Sequence, residues 1–172
     1  LSVGFIETHR EFSAPGAEDD PRFVRTPAPL PDLPAIRQDM AAFHASARTL
    51  DRGIGDVLAA LDAAGLAEQT LVICTTDHGI AFPGMKCTLT DHGIGVMLVM
   101  RGPGGFDGGR VCQAMVSHVD LFPTICDLLQ IERPAWLQGE SLLPLVRGDV
   151  DEIHDEVFAE VTYHAAYEPQ RA

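Results

Sequence analysis

No apolar run in the 172 residues approaches the roughly 18 expected of a membrane-spanning helix. Membrane partners are therefore not expected. Basic residues are scarce, 12 Lys and Arg against 25 Asp and Glu, and the formal net charge is -13. That balance argues against nucleic acid as a partner, because nothing offsets phosphate repulsion. The four cysteines form no CxxC pair and no zinc-ribbon spacing. Cys74 lies in an apolar strand and Cys126 on an apolar helix face, where a free thiol acts as a small hydrophobe. Unpaired cysteines weakly favour a reducing, cytoplasmic compartment and leave a periplasmic or secreted one open. The opening LSVGFIE has neither the basic start nor the small-residue cleavage site of a signal peptide. It begins with Leu1 and reads as a buried strand, so the chain is expected to be a piece of something longer.

The apolar and charged fractions, 46% and 22%, are those of an ordinary globular domain with a core. Ser13–Leu33 is proline-rich and acidic with no period, the pattern of an extended surface loop. Ile36, Met40, Phe43, Ala47, Leu50, Ile54, Val57 and Leu61 then recur at spacings of three and four, one face of a long helix over Ile36–Ala64. Asp32 and Pro34 suit its start and Gly65 its end. Gly53 and Gly55 weaken it locally, which fits close approach to a sheet. Leu71–Thr75 is an apolar strand directly after the helix. Strand, crossover helix, strand is the βαβ unit of an α/β fold. Further strands are expected over Ile94–Met100, Val111–Val116 and Glu156–Val161, with a helix over Val119–Leu129 and a less regular Trp136–Val146.

The tripeptide Asp-His-Gly occurs at Asp77-His78-Gly79 and again at Asp91-His92-Gly93. In open α/β sheets, ligands bind beyond the carboxyl ends of parallel strands. The first copy lies there, after Leu71–Thr75; the second precedes its strand, so the two are not a repeat. Side chains of adjacent strand residues point to opposite faces. Gly79 is expected to let the backbone turn so that Asp77 and His78 converge. Alone, the first copy also fits a strand-end turn with an Asx-type hydrogen bond, and the second fits that better still. His9, in ETHREF, and Lys86, in the loop after the pair, are individually ordinary. Together, a carboxylate, two imidazoles and an ammonium near one sheet edge suit a metal ion and an oxyanion held by cationic donors.

The runs VGFIETHREF, ARTLDRGIGDVLAALDAAGLAEQTLVICTTDHGIAFPGMKCTLTDHGIGVMLVMRGPG, and SHVDLFPTICDLLQI followed by LQGESLLPLV resemble the sulfatases of the alkaline-phosphatase-like superfamily. The long helix and TLVICTTDHGIAFPG look most like the heparan N-sulfatase branch. The resemblance implies a partial alkaline-phosphatase-like α/β sandwich, its mostly parallel sheet flanked by helices, with residues 1–172 the later part of one catalytic domain. It implies that Asp77 and His78 are ligands to a divalent cation, that Lys86 contacts the substrate's sulfate, and that His9 contacts sulfate near the leaving-group oxygen. Calcium is the usual family cation. Many calcium sulfatases carry Asn beside the ligand Asp, however, and imidazole suits Mn or Zn better than Ca.

Sulfatases use a formylglycine made within C/S-x-P-x-R, and none of the four cysteine contexts fits it. The family's paired aspartates are missing too. In the resemblance both lie upstream of the segment matching Leu1, so the intact parent is expected to hydrolyse a sulfate ester or sulfamate of a small molecule or carbohydrate. The chain alone is expected to be inactive. Two rivals remain: a phosphonate or phosphate-ester hydrolase on the same scaffold, and a non-catalytic binding module.

Overall fold

The computed structural model describes residues 1–106 and 108–161, which form two compact units. One comprises Leu1–Leu66 and Thr76–Val96; the other comprises Ala67–Thr75 and Met97–Glu160.

The first unit is built on α1, Pro34–Ala63. Leu33 caps it without a side-chain hydrogen bond, and Pro34 supplies the fixed φ favoured in a first turn. Asp32, expected at the helix start, instead pairs with Arg37. At the far end Gly65 takes φ +67, Leu66 N–H donates to Leu61 O at 3.3 Å, and Gly65 N–H donates to Asp62 O at 2.9 Å. This closure uses the left-handed conformation that glycine adopts without strain. The buried stretch lies in the first half of α1, at Met40, Ala41, Ala45 and Ser46. Farther along, Val57 of the expected face is exposed.

Met40 and Ala41 pack with Val24, Phe82 and Met85 in one buried cluster. Ser13–Leu33 is accordingly strapped to the helix rather than free. Ser13 N–H donates to Ser46 Oγ at 2.7 Å, and Arg37 Nη1 donates to the carbonyls of Arg22 and Val24 at 3.1 and 3.2 Å. The buried Asp19 carboxylate pairs with Arg48. A 3₁₀ turn at Pro21–Phe23 is capped by Asp20, whose side chain accepts from Arg22 N–H.

In the second unit β1, Val72–Thr75, and β2, Leu98–Arg101, pair antiparallel with Cys74 opposite Val99. Between them in sequence comes the single turn α2, Asp91–Ile94, which belongs to the first unit. A 3₁₀ turn, His118–Asp120, leads into α3, Leu121–Leu129, and α4 spans Leu143–Arg147. Asp120 is fully buried and fully used. It accepts from Ser117 N–H at 2.7 Å, from Glu140 N–H at 2.9 Å and from His154 Nε2 at 3.0 Å.

Several expected strands are not formed. Leu1–Glu7 forms no ladder and its apolar side chains Leu1, Val3 and Ile6 are exposed. Val111–Val116 and Glu156–Val161 are irregular as well, and the strand expected from Ile94 begins at Leu98. Apolar, β-branched composition records a need for cover and does not name the partner strand. The one ladder among the described residues is antiparallel, so the expected parallel βαβ pairing is absent from them. The glycines of α1 divide. A Cβ at Gly53 would lie 2.7 Å from the Phe5 ring, whereas one at Gly55 would meet nothing within 4 Å. The close approach at Gly53 is thus to an aromatic ring.

Candidate active site

Asp77 and His78 follow β1 after one intervening residue, Thr76. His78 Nε2 stands 3.4 Å from Asp77 Oδ2, and the Asp77 side chain is 87% exposed. His78 Nδ1 lies 2.6 Å from Gly79 O. A carbonyl only accepts, so Nδ1 carries a proton and Nε2 is the ring atom that faces the carboxylate. Two donors on a tetrahedral ion with bonds of about 2.1 Å stand about 3.4 Å apart, so the pair fits a shared divalent cation. The carbonyl behind Nδ1 is the kind of partner that orients a ligating imidazole. No group of three or more His, Cys, Asp or Glu able to hold an ion occurs among the described residues. Asp77 and His78 alone offer two donors, one oxygen and one nitrogen.

Gly79 is needed here, for a different reason from the expected turn. Its φ lies outside the left-handed region, and a Cβ at this position would fall 1.8 Å from His92 O. Its N–H donates to Gly93 O at 2.9 Å. The second Asp-His-Gly therefore buttresses the first through its backbone. Gly93 is itself wedged, with a Cβ position 2.3 Å from Thr88 O and 2.5 Å from Met85 O.

That contact reaches the loop bearing Lys86, the chain's only lysine. Ile80 O accepts from Phe82 N–H at 2.9 Å and from Lys86 N–H at 3.2 Å, while Phe82 and Met85 are buried. The loop is thus anchored by its apolar residues, with Lys86 half-buried at its end. Thr88 N–H donates to Met85 O at 3.1 Å and closes the following turn.

His9 sits on an exposed turn closed by its own N–H donating to Ile6 O at 2.7 Å. Its Nδ1 lies 2.5 Å from Arg10 O, so His9, like His78, carries a proton on Nδ1. Neither His9 nor Lys86 makes a hydrogen bond or ion pair to Asp77 or His78. All four lie in the same unit. The residue that sequence reasoning passed over is Arg10. It pairs with Asp39 on α1, donates to Ala81 O at 3.4 Å, and lies 4.4 and 5.0 Å from the Phe12 and Phe82 ring centroids. No spacing rule relates position 10 to 39 or 81, so the sequence carries no local signal for it.

A carboxylate and an imidazole thus face each other just after a strand of an α/β framework. The chain superimposes on phosphonate monoester hydrolase SpPMH from Silicibacter pomeroyi with a TM-score of 0.62 at 26% identity, covering 86% of this chain and 33% of that one. Its fold is alkaline-phosphatase-like. The sulfatase family profile matches residues 1–131, and the chain belongs to the sulfatase family. It is 36% identical to N-sulphoglucosamine sulphohydrolase of Homo sapiens over 155 residues, 84% of this chain and 30% of that protein. It is 35% identical to steryl-sulfatase of Mus musculus over 134 residues, 67% of this chain and 22% of that protein. The chain thus spans less than a third of the length of these relatives.

Proposed function

We propose that the intact protein containing this chain hydrolyses a sulfate ester or sulfamate, and that Asp77, His78, Lys86 and His9 are this chain's share of the active site. The observation that carries the reading is the facing of Asp77 Oδ2 and His78 Nε2 across 3.4 Å, with His78 oriented by the Gly79 carbonyl. Identity of 36% with an N-sulphoglucosamine sulphohydrolase supports a sulfated carbohydrate as substrate.

In this reading Asp77 and His78 hold one divalent cation, which when bound neutralises charge developing on the nucleophile and sulfate oxygens. One oxygen and one nitrogen donor suit Mn or Zn, while calcium is the family's usual ion. The remaining charge falls to this chain's own cations. Lys86, a compact ammonium at the end of an anchored loop, binds a sulfate oxygen. His9, protonated at Nε2, binds the sulfate near the leaving group and gives that proton to the departing oxygen or nitrogen. The nucleophile, a formylglycine, and the other metal ligands belong to sequence outside these residues, and the chain by itself is inactive.

Turnover of the intact protein tests the assignment. Lys86→Ala should lower kcat severely with the fold intact; an unchanged rate would remove Lys86 from the site. A second reading, a phosphonate monoester hydrolase, is favoured by the likeness to SpPMH over 86% of this chain. Comparing kcat/KM for aryl sulfates and aryl phosphonates on the intact protein separates the two.

A further inference from the structure

Resting on the role given to His9 above, we propose that Arg10 is a positioning residue, which fixes the His9 turn against the loop bearing Lys86. Each of its three guanidinium nitrogens donates a hydrogen bond. Nη1 donates to Asp39 Oδ1 at 2.9 Å, Nη2 pairs with Asp39 Oδ2, and Nε donates to Ala81 O at 3.4 Å. The group also lies against two rings, Phe12 and Phe82, which are stacked with centroids 5.8 Å apart. Phe82 belongs to the Ile80–Lys86 loop and is buried with Met85, next to Lys86. One side chain therefore joins the His9 turn, α1 and the Lys86 loop.

Its backbone matters equally. Arg10 O receives His9 Nδ1–H at 2.5 Å, so the tautomer and direction of the His9 ring depend on where Arg10 sits. A stabilising role alone is a poor account of this geometry. The Arg10 and Asp39 side chains are 43% and 32% exposed, and ion pairs screened to that degree contribute little to stability. A planar fork engaged on Asp39 and flanked by two rings fixes direction, which a lysine cannot reproduce.

The test is a double-mutant cycle in the intact protein, with sulfate-ester turnover as readout and thermal melts as a check on folding. Arg10→Ala should lower kcat about ten- to hundredfold with a smaller change in KM, the scale expected of a displaced catalytic group. In a His9→Ala background the same substitution should cost less than about threefold, because nothing is left to aim. Asp39→Asn, which keeps the side-chain shape, should follow the same pattern more weakly, and it serves if Arg10→Ala fails to fold. An equal loss in both backgrounds would overturn the positioning role while leaving His9 in the site. Full activity of His9→Ala would instead overturn the role of His9, and with it the need to aim that ring.

Discussion

The Gly79 N–H donates to the Gly93 carbonyl at 2.9 Å, joining the two Asp-His-Gly tripeptides back to back. One presents its side chains outward as a candidate half-site. The other holds it through bare backbone. Neither glycine leaves room for a Cβ, so the contact itself forbids substitution.

Gly79→Ala should be destabilising by about 2 kcal/mol or more, because the new Cβ would fall 1.8 Å from the His92 carbonyl and backbone must shift. Gly93→Ala should behave alike, with carbonyls at 2.3 and 2.5 Å. Gly55→Ala in α1 meets nothing within 4 Å and should raise stability by up to about 1 kcal/mol, as helical Gly→Ala does. Thermal or urea unfolding of the three variants checks the contrast; equal effects at Gly55 and Gly79 would contradict it.

His78→Asn should shift metal preference towards calcium. Replacing the imidazole Nε2 by an amide oxygen removes the donor that softer ions favour and supplies one that a hard ion favours. Activity of the metal-stripped intact protein, restored in turn with Ca, Mn and Zn, measures the shift. An unchanged order of restoration would argue that His78 does not touch the ion.

Acid stability should depend on Asp19. The Arg48 guanidinium holds its carboxyl below the usual range, against the opposing effect of burial and with help from the Gly16 N–H. Asp20, beside Arg22, is held down to about 2. A carboxylate depressed in the folded state contributes stability above its unfolded pKa of about 3.9 and loses it as pH falls through the folded value. The melting temperature should thus fall steadily below about pH 4. Asp19→Asn should lower it at neutral pH and flatten the acid limb. A parallel pH profile for the variant would show that the pair contributes nothing.

Much of the local structure was legible. The period of Met40 and its neighbours marks α1 within two residues at the start and one at the end, and Gly65 ends it as expected. The expectation that the Asp77 and His78 side chains converge after an apolar strand is met, with His78 Nε2 3.4 Å from Asp77 Oδ2. Pairing was not legible. Leu1–Glu7 and Val111–Val116 are as apolar as strands, but a strand is defined by hydrogen bonds to a neighbour that its own residues do not encode. The buttress at Gly93 and the tie at Arg10 escaped for a related reason. Both are contacts between segments distant in sequence, the first through backbone atoms that every residue type supplies, the second through a side chain whose partners no spacing rule names. The strapping of Ser13–Leu33 through Asp19, Ser46 and Arg37 belongs to the same class.

The most direct measurement is aryl sulfate hydrolysis by the intact protein and its Asp77→Asn variant, each titrated with a divalent cation after chelation. Asp77→Asn keeps the shape and removes the charge on one of the two facing donors. The account predicts that chelation abolishes turnover of the parent, that added cation restores it, and that the variant stays at least about a hundredfold slower, beyond the roughly 10–100-fold loss typical of groups that only support a ligand. Full turnover by Asp77→Asn, or activity indifferent to chelation and cation, would contradict a metal half-site at Asp77 and His78.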